Sequence, residues 1–188
     1  PMLSARAQSS GSPGDGGIYT TTLANGLRVI VIEDHAAPIV QVATWYRFGS
    51  LYETPGKTGL AHALEHMLFR GTSNVSAGGL DDITARIGAE MNGQTDYDYT
   101  QLYFTMPSDK IDVALYLEAD RMHDALLRQA DWNIERGAVL SEIDGDESSP
   151  FFNLLSRVRA AAYPDSPSGR TPTGIRSDVA KATAVDIR

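Results

Sequence analysis

Two histidines and a glutamate lie close together in the segment GLAHALEHMLFRGT, residues 59–72. Positions i and i+4 of a helix point to the same side, with Cβ atoms about 6 Å apart, so His62 and His66 can bind one metal ion. Glu65 leans to that side as well, and a carboxylate beside a metal-bound water can act as its general base. The spacing therefore predicts a helix that carries both a metal site and its base.

The alternative interpretation is a solvated helix face that carries these residues by chance, since three fixed positions are a short pattern. The rest of the segment argues against it, because polar groups on an apolar, buried helix are costly unless something satisfies them. A metal ion would satisfy them. The apolar positions are Leu60, Ala61, Ala63, Leu64, Met67, Leu68 and Phe69.

The third ligand of the metal is predicted to be a carboxylate. The chain has no cysteine, so a metal must use His and Asp or Glu, which suits Zn²⁺. His35 falls in a polar turn, and His123 is interpreted as a surface residue of a helix. Glu135 and Glu142 lie seven positions apart, on one face of the helix predicted after residue 131, and position alone does not choose between them. Either one can also be an ordinary solvated acid.

Composition excludes some classes of protein. The 188 residues are 42% hydrophobic, enough for one good core. The formal net charge of −8, from 24 acidic and 16 basic residues, argues against a nucleic-acid binder, which would need a basic face. No apolar run approaches the roughly 20 residues that span a bilayer, so no membrane span is predicted.

The N-terminal segment differs from the rest of the chain. Residues 1–17 are rich in Ser, Gly and Pro and predict a flexible tail, whereas residues 18–188 predict one folded domain. The tripeptide 5–7, Ala-Arg-Ala, has the form of a signal-peptidase site and favours an exported, periplasmic protein over a cytoplasmic one.

Periodicity predicts the order β-β-β, α-α, β, α-α-α. Strand-like runs flank Asn25-Gly26, a strong hairpin signal, and a third strand follows Pro38. This order predicts an α+β fold, with helices packed on a largely antiparallel sheet. In one helix Ile111, Leu115 and Met122 are expected to face inward. The predicted helices are 60–69, 76–89, 108–127, one capped by Asp131, one after Pro150 and one from Ser177, and the fourth strand is 100–106.

These features together resemble the pitrilysin family of zinc metallopeptidases, whose His-x-x-Glu-His order defines the inverzincins. The segment GSLYETPGKTGLAHALEHMLFRGT carries the main motif. The flanking segments agree in the same order, and the resemblance covers residues 18–160. They are LANGLRVIVIEDHAAPIVQVATWYRFGS, MNGQTDYDYTQLYFTMP and IERGAVLSEI.

The resemblance implies a role for each matching residue. His62 and His66 would bind zinc, Glu65 would be the general base, and Glu142, at 142 − 66 = 76 positions beyond His66, would be the third ligand. Glu135 would orient a ligand histidine. The family's edge strand that pairs with an extended substrate matches Asn92-Gly93, where glycine replaces the usual alanine.

The family also implies an activity and a larger assembly. The expected activity is zinc-dependent hydrolysis of peptide bonds in peptides or unfolded segments. Members enclose a chamber between two halves, so residues 18–188 are expected to be a catalytic domain truncated at its C-terminal end. A second chain or domain would then complete the chamber. Two alternatives are a non-catalytic or partner-dependent subunit, and an unrelated binding domain with a fortuitous motif; the intact ligand and base residues favour the enzyme.

Overall fold

The structure is a computed structural model that describes residues 8–9 and 17–188. Backbone contacts divide the chain into two units, residues 1–38 and residues 39–188. The expected tail and the tripeptide 5–7 lie largely outside the described residues, so both remain predictions. Gln8–Ser9 form a two-residue strand, β1, beside the next strand of the chain.

The first unit contains an antiparallel sheet in the order β1-β2-β3. β2 spans Ile18–Thr22 and β3 spans Arg28–Ile32, with Thr20 opposite Ile30. Gly26 has a φ of 87°, as expected of a hairpin turn at Asn25-Gly26. The predicted hairpin is thus confirmed.

The second unit contains an antiparallel sheet in the order β4-β6-β5. β6 lies in the centre, with Phe104 opposite Val42 of β4 and Met91 of β5. Alternate residues of β6 are buried, the pattern of a strand with one face covered. β5 follows a helix that ends at Gly88, and periodicity did not predict it as a strand. The bounds are β4 Ile39–Tyr46, β5 Glu90–Thr95 and β6 Thr100–Pro107.

Helices pack on the face of this sheet that buries β6. The bounds are α1 Leu60–Leu68, α2 Ala77–Ile87, α3 Ile111–Asp124, α4 Gln129–Ser148, α5 Pro150–Ala162, α6 Arg176–Lys181 and α7 Ala184–Ile187. The mixed, antiparallel α+β class predicted from the sequence is therefore confirmed. None of the described helices is both long and apolar enough to cross a membrane.

Two hydrophobic clusters hold these helices in place. One joins α1 to α4 and the C-terminal helices through Ala63, Met67, Trp132, Val139 and Val179, among others. The other joins β6 to α2 and α3. Since α1 contributes Ala63 and Met67 to the first cluster, it packs against α4 and the C-terminal helices on one side, and it contacts β5 on the other.

Two predictions about helix detail were wrong. Asp131 does not cap α4, because the helix begins at Gln129 and the Asp131 carboxylate instead accepts a bond from Arg128 Nε at 2.6 Å. The inward face of α3 was also misassigned, since its expected residues are exposed. The three exposed residues are Ile111, Leu115 and Met122, whereas Ala114, Leu117, Glu118 and Arg121 are buried.

Candidate metal centre

The N-terminus of α1 is fixed by a buried carboxylate. Glu53 Oε2 accepts from the Gly59 N–H at 2.9 Å, and its Oε1 accepts from the Ala61 N–H at 2.8 Å. The first N–H groups of a helix have no partner within the helix, and this carboxylate accepts hydrogen bonds from two of them. Its negative charge also interacts favourably with the positive end of the helix dipole. Burial raises the pKa of Glu53, and the backbone donors act in the opposite direction.

Three donor atoms converge between α1 and α4. His62 Nε2 lies 3.2 Å from His66 Nε2 and 3.3 Å from Glu142 Oε2, and His66 Nε2 lies 3.5 Å from that same oxygen. The predicted pair on α1 therefore does face one point, and Glu142 is the acid that meets it. Position along the sequence alone had left this choice open.

The donor set fits a zinc ion. Tetrahedral zinc with ligands at about 2.0–2.1 Å separates them by roughly 3.3 Å, close to the spacing of these three atoms. His66 Nδ1 donates to Glu135 Oε2 at 3.0 Å, so its Nε2 carries a lone pair. Lone pairs that point at a carboxylate oxygen need a cation or a proton between them. Three protein ligands with one open position is the arrangement of catalytic zinc sites.

Glu135 supports the histidine on the side away from that point. Its Oε2 accepts from His66 Nδ1, and its Oε1 lies 3.3 Å from Arg70 Nη1. Val139, buried between α1 and α4, lies between Glu135 and Glu142 on the same helix face. Glu142 thus lies beside the Nε2 atoms of both histidines, whereas Glu135 contacts Nδ1 on the opposite side of the His66 ring.

His62 is less well supported than His66. Its Nδ1 is buried and has no hydrogen-bond partner among the described residues. Burial, and then the nearby His66, lower the pKa of His62 from 6.5 to about 4. A histidine that stays neutral presents a lone pair to a metal ion without competition from protons at neutral pH.

Glu65 lies on the β5 side of α1, and its side chain is 8% exposed. Its Oε2 accepts from Thr95 Oγ1 at 2.6 Å. Burial raises the pKa of the Glu65 carboxyl, Thr95 and His66 act in the opposite direction, and Glu142 adds to the rise. A carboxylate whose pKa is raised is a better proton acceptor at neutral pH.

A cleft of about 830 Å³ opens in front of these residues. Its lining includes the start of α2 and β5 from Met91 to Thr95. It also includes the five ionisable residues His62, Glu65, His66, Glu135 and Glu142. β5 is an edge strand of its sheet, as the resemblance implied for Asn92-Gly93. The Gly93 N–H donates to Asn92 Oδ1 at 2.8 Å. The predicted substrate-binding residues therefore line the same cleft as the predicted ligands.

Sequence reasoning missed three residues that support the site. Glu53 caps α1, Arg70 pairs with Glu135, and Thr95 bonds to Glu65. A carboxylate shortly before a helix was a usable signal for Glu53. Thr95 gave no local signal, because its partner is 30 positions away.

Comparison with known proteins identifies the family of the chain. The family described as Insulinase (Peptidase family M16) matches residues 28–173. The zinc protease PqqE of Helicobacter pylori is 33% identical over 171 residues, which cover 90% of this chain and 38% of that protein. A probable mitochondrial-processing peptidase subunit beta of Arabidopsis thaliana is 31% identical, over 89% of this chain and 32% of that protein.

Solved structures agree with this fold. A protease from Helicobacter pylori, 32% identical, superposes with a TM-score of 0.86 over 92% of this chain and 42% of that chain. A peptidase M16 inactive domain from Pseudomonas fluorescens superposes with a TM-score of 0.81 at 17% identity, over 90% of this chain and 42% of that chain, which shows the fold alone.

The chain spans about 40% of the length of the relative from Helicobacter pylori. The family match, residues 28–173, includes every residue of the candidate metal centre. It also covers well over half of the 188 residues. The chain therefore belongs to the insulinase, or pitrilysin, family of peptidases, family M16.

Proposed function

We propose that this chain carries the metal-binding half of a zinc endopeptidase site. His62, His66 and Glu142 would hold the zinc ion, Glu65 would act as general base and Glu135 would orient His66. The observation that carries the proposal is the convergence of three donor atoms within 3.2–3.5 Å of one another, beside a buried carboxylate. Relatives named zinc proteases support the choice of metal.

The metal and the side chains would have separate roles. When bound, zinc would act as a Lewis acid that lowers the pKa of water and polarises a carbonyl. Glu65 would take the proton from the attacking water and give it to the leaving amine. Glu135 would keep the His66 imidazole in the tautomer whose Nε2 is free.

Recognition of substrate would use the backbone of β5. An exposed sheet edge can accept an extended peptide as an additional strand, with main-chain hydrogen bonds that do not depend on sequence. Asn92 and Gly93 lie in that edge and line the cleft. A carbonyl oxygen of the bound strand would replace Asn92 Oδ1 as the acceptor of the Gly93 N–H. The substrates proposed are therefore peptides and unfolded segments.

Zinc analysis of the purified chain tests the metal site. We expect about one zinc ion per chain and a Glu142→Gln variant that binds it far more weakly, since an amide is a poor replacement for a charged ligand. Glu147→Gln is the matched control, because Glu147 lies on the same helix and is exposed. Equal zinc affinity in Glu142→Gln and the wild type would remove Glu142 from the ligand set.

A Glu65→Gln variant tests the base. We expect it to retain zinc and to lose hydrolysis of a quenched fluorescent peptide by about 10²–10⁴-fold, since glutamine cannot accept a proton. Near-normal turnover in Glu65→Gln would mean that another group acts as base.

A partner-dependent subunit is the second proposal. It is supported by the mitochondrial relative, whose printed name is that of a subunit. It is also supported by an apolar stripe on α5, where Phe151 is 68% and Leu154 58% exposed. We propose that a second chain or domain of the same family covers this stripe and completes the chamber.

Turnover with and without such a partner separates the two proposals. A partner-dependent subunit would cleave the peptide only after the remaining part of a family member is added, whereas a self-sufficient site would cleave alone. Export stays a prediction, since one structural neighbour is named as periplasmic, in Escherichia coli, and other relatives are named as mitochondrial.

A further inference from the structure

The side chain of Glu65 lies against two residues of β5, Gly93 and Thr95. Gly93 and Thr95 are two positions apart on the strand, so they present the same face to α1. Thr95 Oγ1 donates to Glu65 Oε2 at 2.6 Å. Thr95 Oγ1 also lies 3.2 Å from Thr100 Oγ1, and the Thr100 hydroxyl is 3.0 Å from the Phe48 carbonyl oxygen. The hydroxyl of Thr95 is thus fixed by neighbours on the central strand.

Gly93 lies beside the other oxygen of the carboxylate. A Cβ atom at position 93 would lie 2.7 Å from Glu65 Oε1 and 2.9 Å from Glu65 Cγ. It would also lie 2.9 Å from Leu102 Cδ2. These neighbours are side chains, so an alanine, the residue usual at this position in the family, would require only a small shift of one of them. The glycine by itself therefore does not fix the carboxylate, whereas the hydrogen bond from Thr95 does.

We propose that Thr95 is a positioning residue that fixes a single conformation of the Glu65 carboxylate. The proposal rests on the proposed role of Glu65 as base. The Thr95 hydroxyl donates its only proton to Oε2, which leaves Oε1 available to accept the proton of the attacking water. Without the hydroxyl, the carboxylate rotates and the proton-accepting oxygen is misplaced.

Three variants test this inference. Thr95→Val removes the hydroxyl at nearly constant volume, and Thr95→Ser restores it. Thr105→Val, on β6, is the control for the loss of a strand hydroxyl, since the Thr105 hydroxyl bonds to Gln41 rather than to Glu65.

The first readout is structural and does not require turnover. Crystal structures of the zinc-free proteins should show the Glu65 carboxylate rotated away in Thr95→Val, but unchanged in Thr95→Ser and Thr105→Val. An unmoved carboxylate in Thr95→Val would overturn the inference.

The second readout is kinetic. We expect Thr95→Val to lower kcat about 10-fold or more, since a hydrogen bond to a charged group is lost, while KM and zinc affinity stay unchanged. Thr95→Ser should recover most of kcat. In a Glu65→Gln background, Thr95→Val should have no further effect, because the two residues act as one unit.

The outcomes distinguish this inference from the proposed function. If Glu65→Gln retains activity, the proposed role of the base fails. If Glu65→Gln is inactive but Thr95→Val has the kcat of the wild type, the base stands and the positioning role is wrong. A Thr95→Val variant that loses zinc would show a structural role instead and would also contradict the inference.

Discussion

Two clusters of ionisable groups lie in the second unit, and they differ in how their charges are balanced. In the α3 pair, Arg121 Nη2 donates to Glu118 Oε1, and each side chain is only 3% exposed. The Arg121 guanidinium also lies over the rings of Phe69 and Phe104, at 5.2 and 5.3 Å. This pair contains both a cation and an anion, so its charges balance, although Arg121 Nε and Nη1 are buried without a hydrogen-bond partner among the described residues.

The metal centre has the opposite character. His62, His66 and Glu142 bring two imidazole nitrogens and a carboxylate oxygen together, include no fixed cation, and open onto a cleft. The α3 pair contains its own cation, whereas converging ligand atoms beside a cleft can bind a cation from solution. The cluster without a cation of its own is therefore the better candidate for a metal site.

Breaking the α3 pair should produce the largest effect on stability. An Arg121→Met variant leaves Glu118 buried without its cation, and we expect the free energy of unfolding to fall by about 3–5 kcal/mol. Burial already raises the pKa of Glu118, and Arg121 acts in the opposite direction. Denaturant unfolding measures the change. The double variant Glu118→Leu/Arg121→Met should recover most of it, and no recovery would mean that Arg121 acts through its ring contacts.

Acid should destabilise the metal-free protein through His62. The folded pKa of about 4 lies below the ordinary 6.5, so the unfolded chain binds the proton first as the pH falls. The contribution of His62 to the free energy of unfolding is therefore fully present above pH 6.5. About 3 kcal/mol of it is lost as the pH falls to 4.

The measurement is the unfolding free energy of zinc-free protein across that range, relative to His62→Asn. The variant lacks the titrating imidazole, so its curve should be flatter. Parallel curves would show that His62 does not carry the pH dependence.

Loosening the support of His66 should have the smallest effect. A Glu135→Gln variant keeps all three ligands but weakens the bond to His66 Nδ1, and we expect zinc affinity to fall by about 10–100-fold. Competition with a chelator of known affinity measures it. Glu118→Gln, in the other cluster, is the comparison, and it should leave zinc affinity unchanged although it lowers stability. A larger loss in Glu118→Gln than in Glu135→Gln would reverse the comparison between the clusters.

Much of the fold followed from local pattern. The hairpin at Asn25-Gly26, the alternation of β6 and the helical spacing of α1 each depend on neighbouring residues, and the structure confirms them. The buried face of α3 did not follow. Hydrophobic spacing favoured Ile111 and Leu115, whereas the structure buries an ion pair whose two charges compensate each other.

The sequence by itself determined that His62 and His66 face one point, because four residues on a helix return the side chain to the same side. It could not determine which acid meets that point. Glu135 and Glu142 are seven residues apart, about 10 Å along α4, so only one can reach the donor atoms. Packing of α1 on Val139 and Ile143 of α4 sets that distance, and it leaves Glu142 at the Nε2 atoms and Glu135 at His66 Nδ1. Similarly, only the pairing of β5 with β6 brings Thr95 beside Glu65, because contacts between distant segments depend on tertiary packing rather than on local spacing.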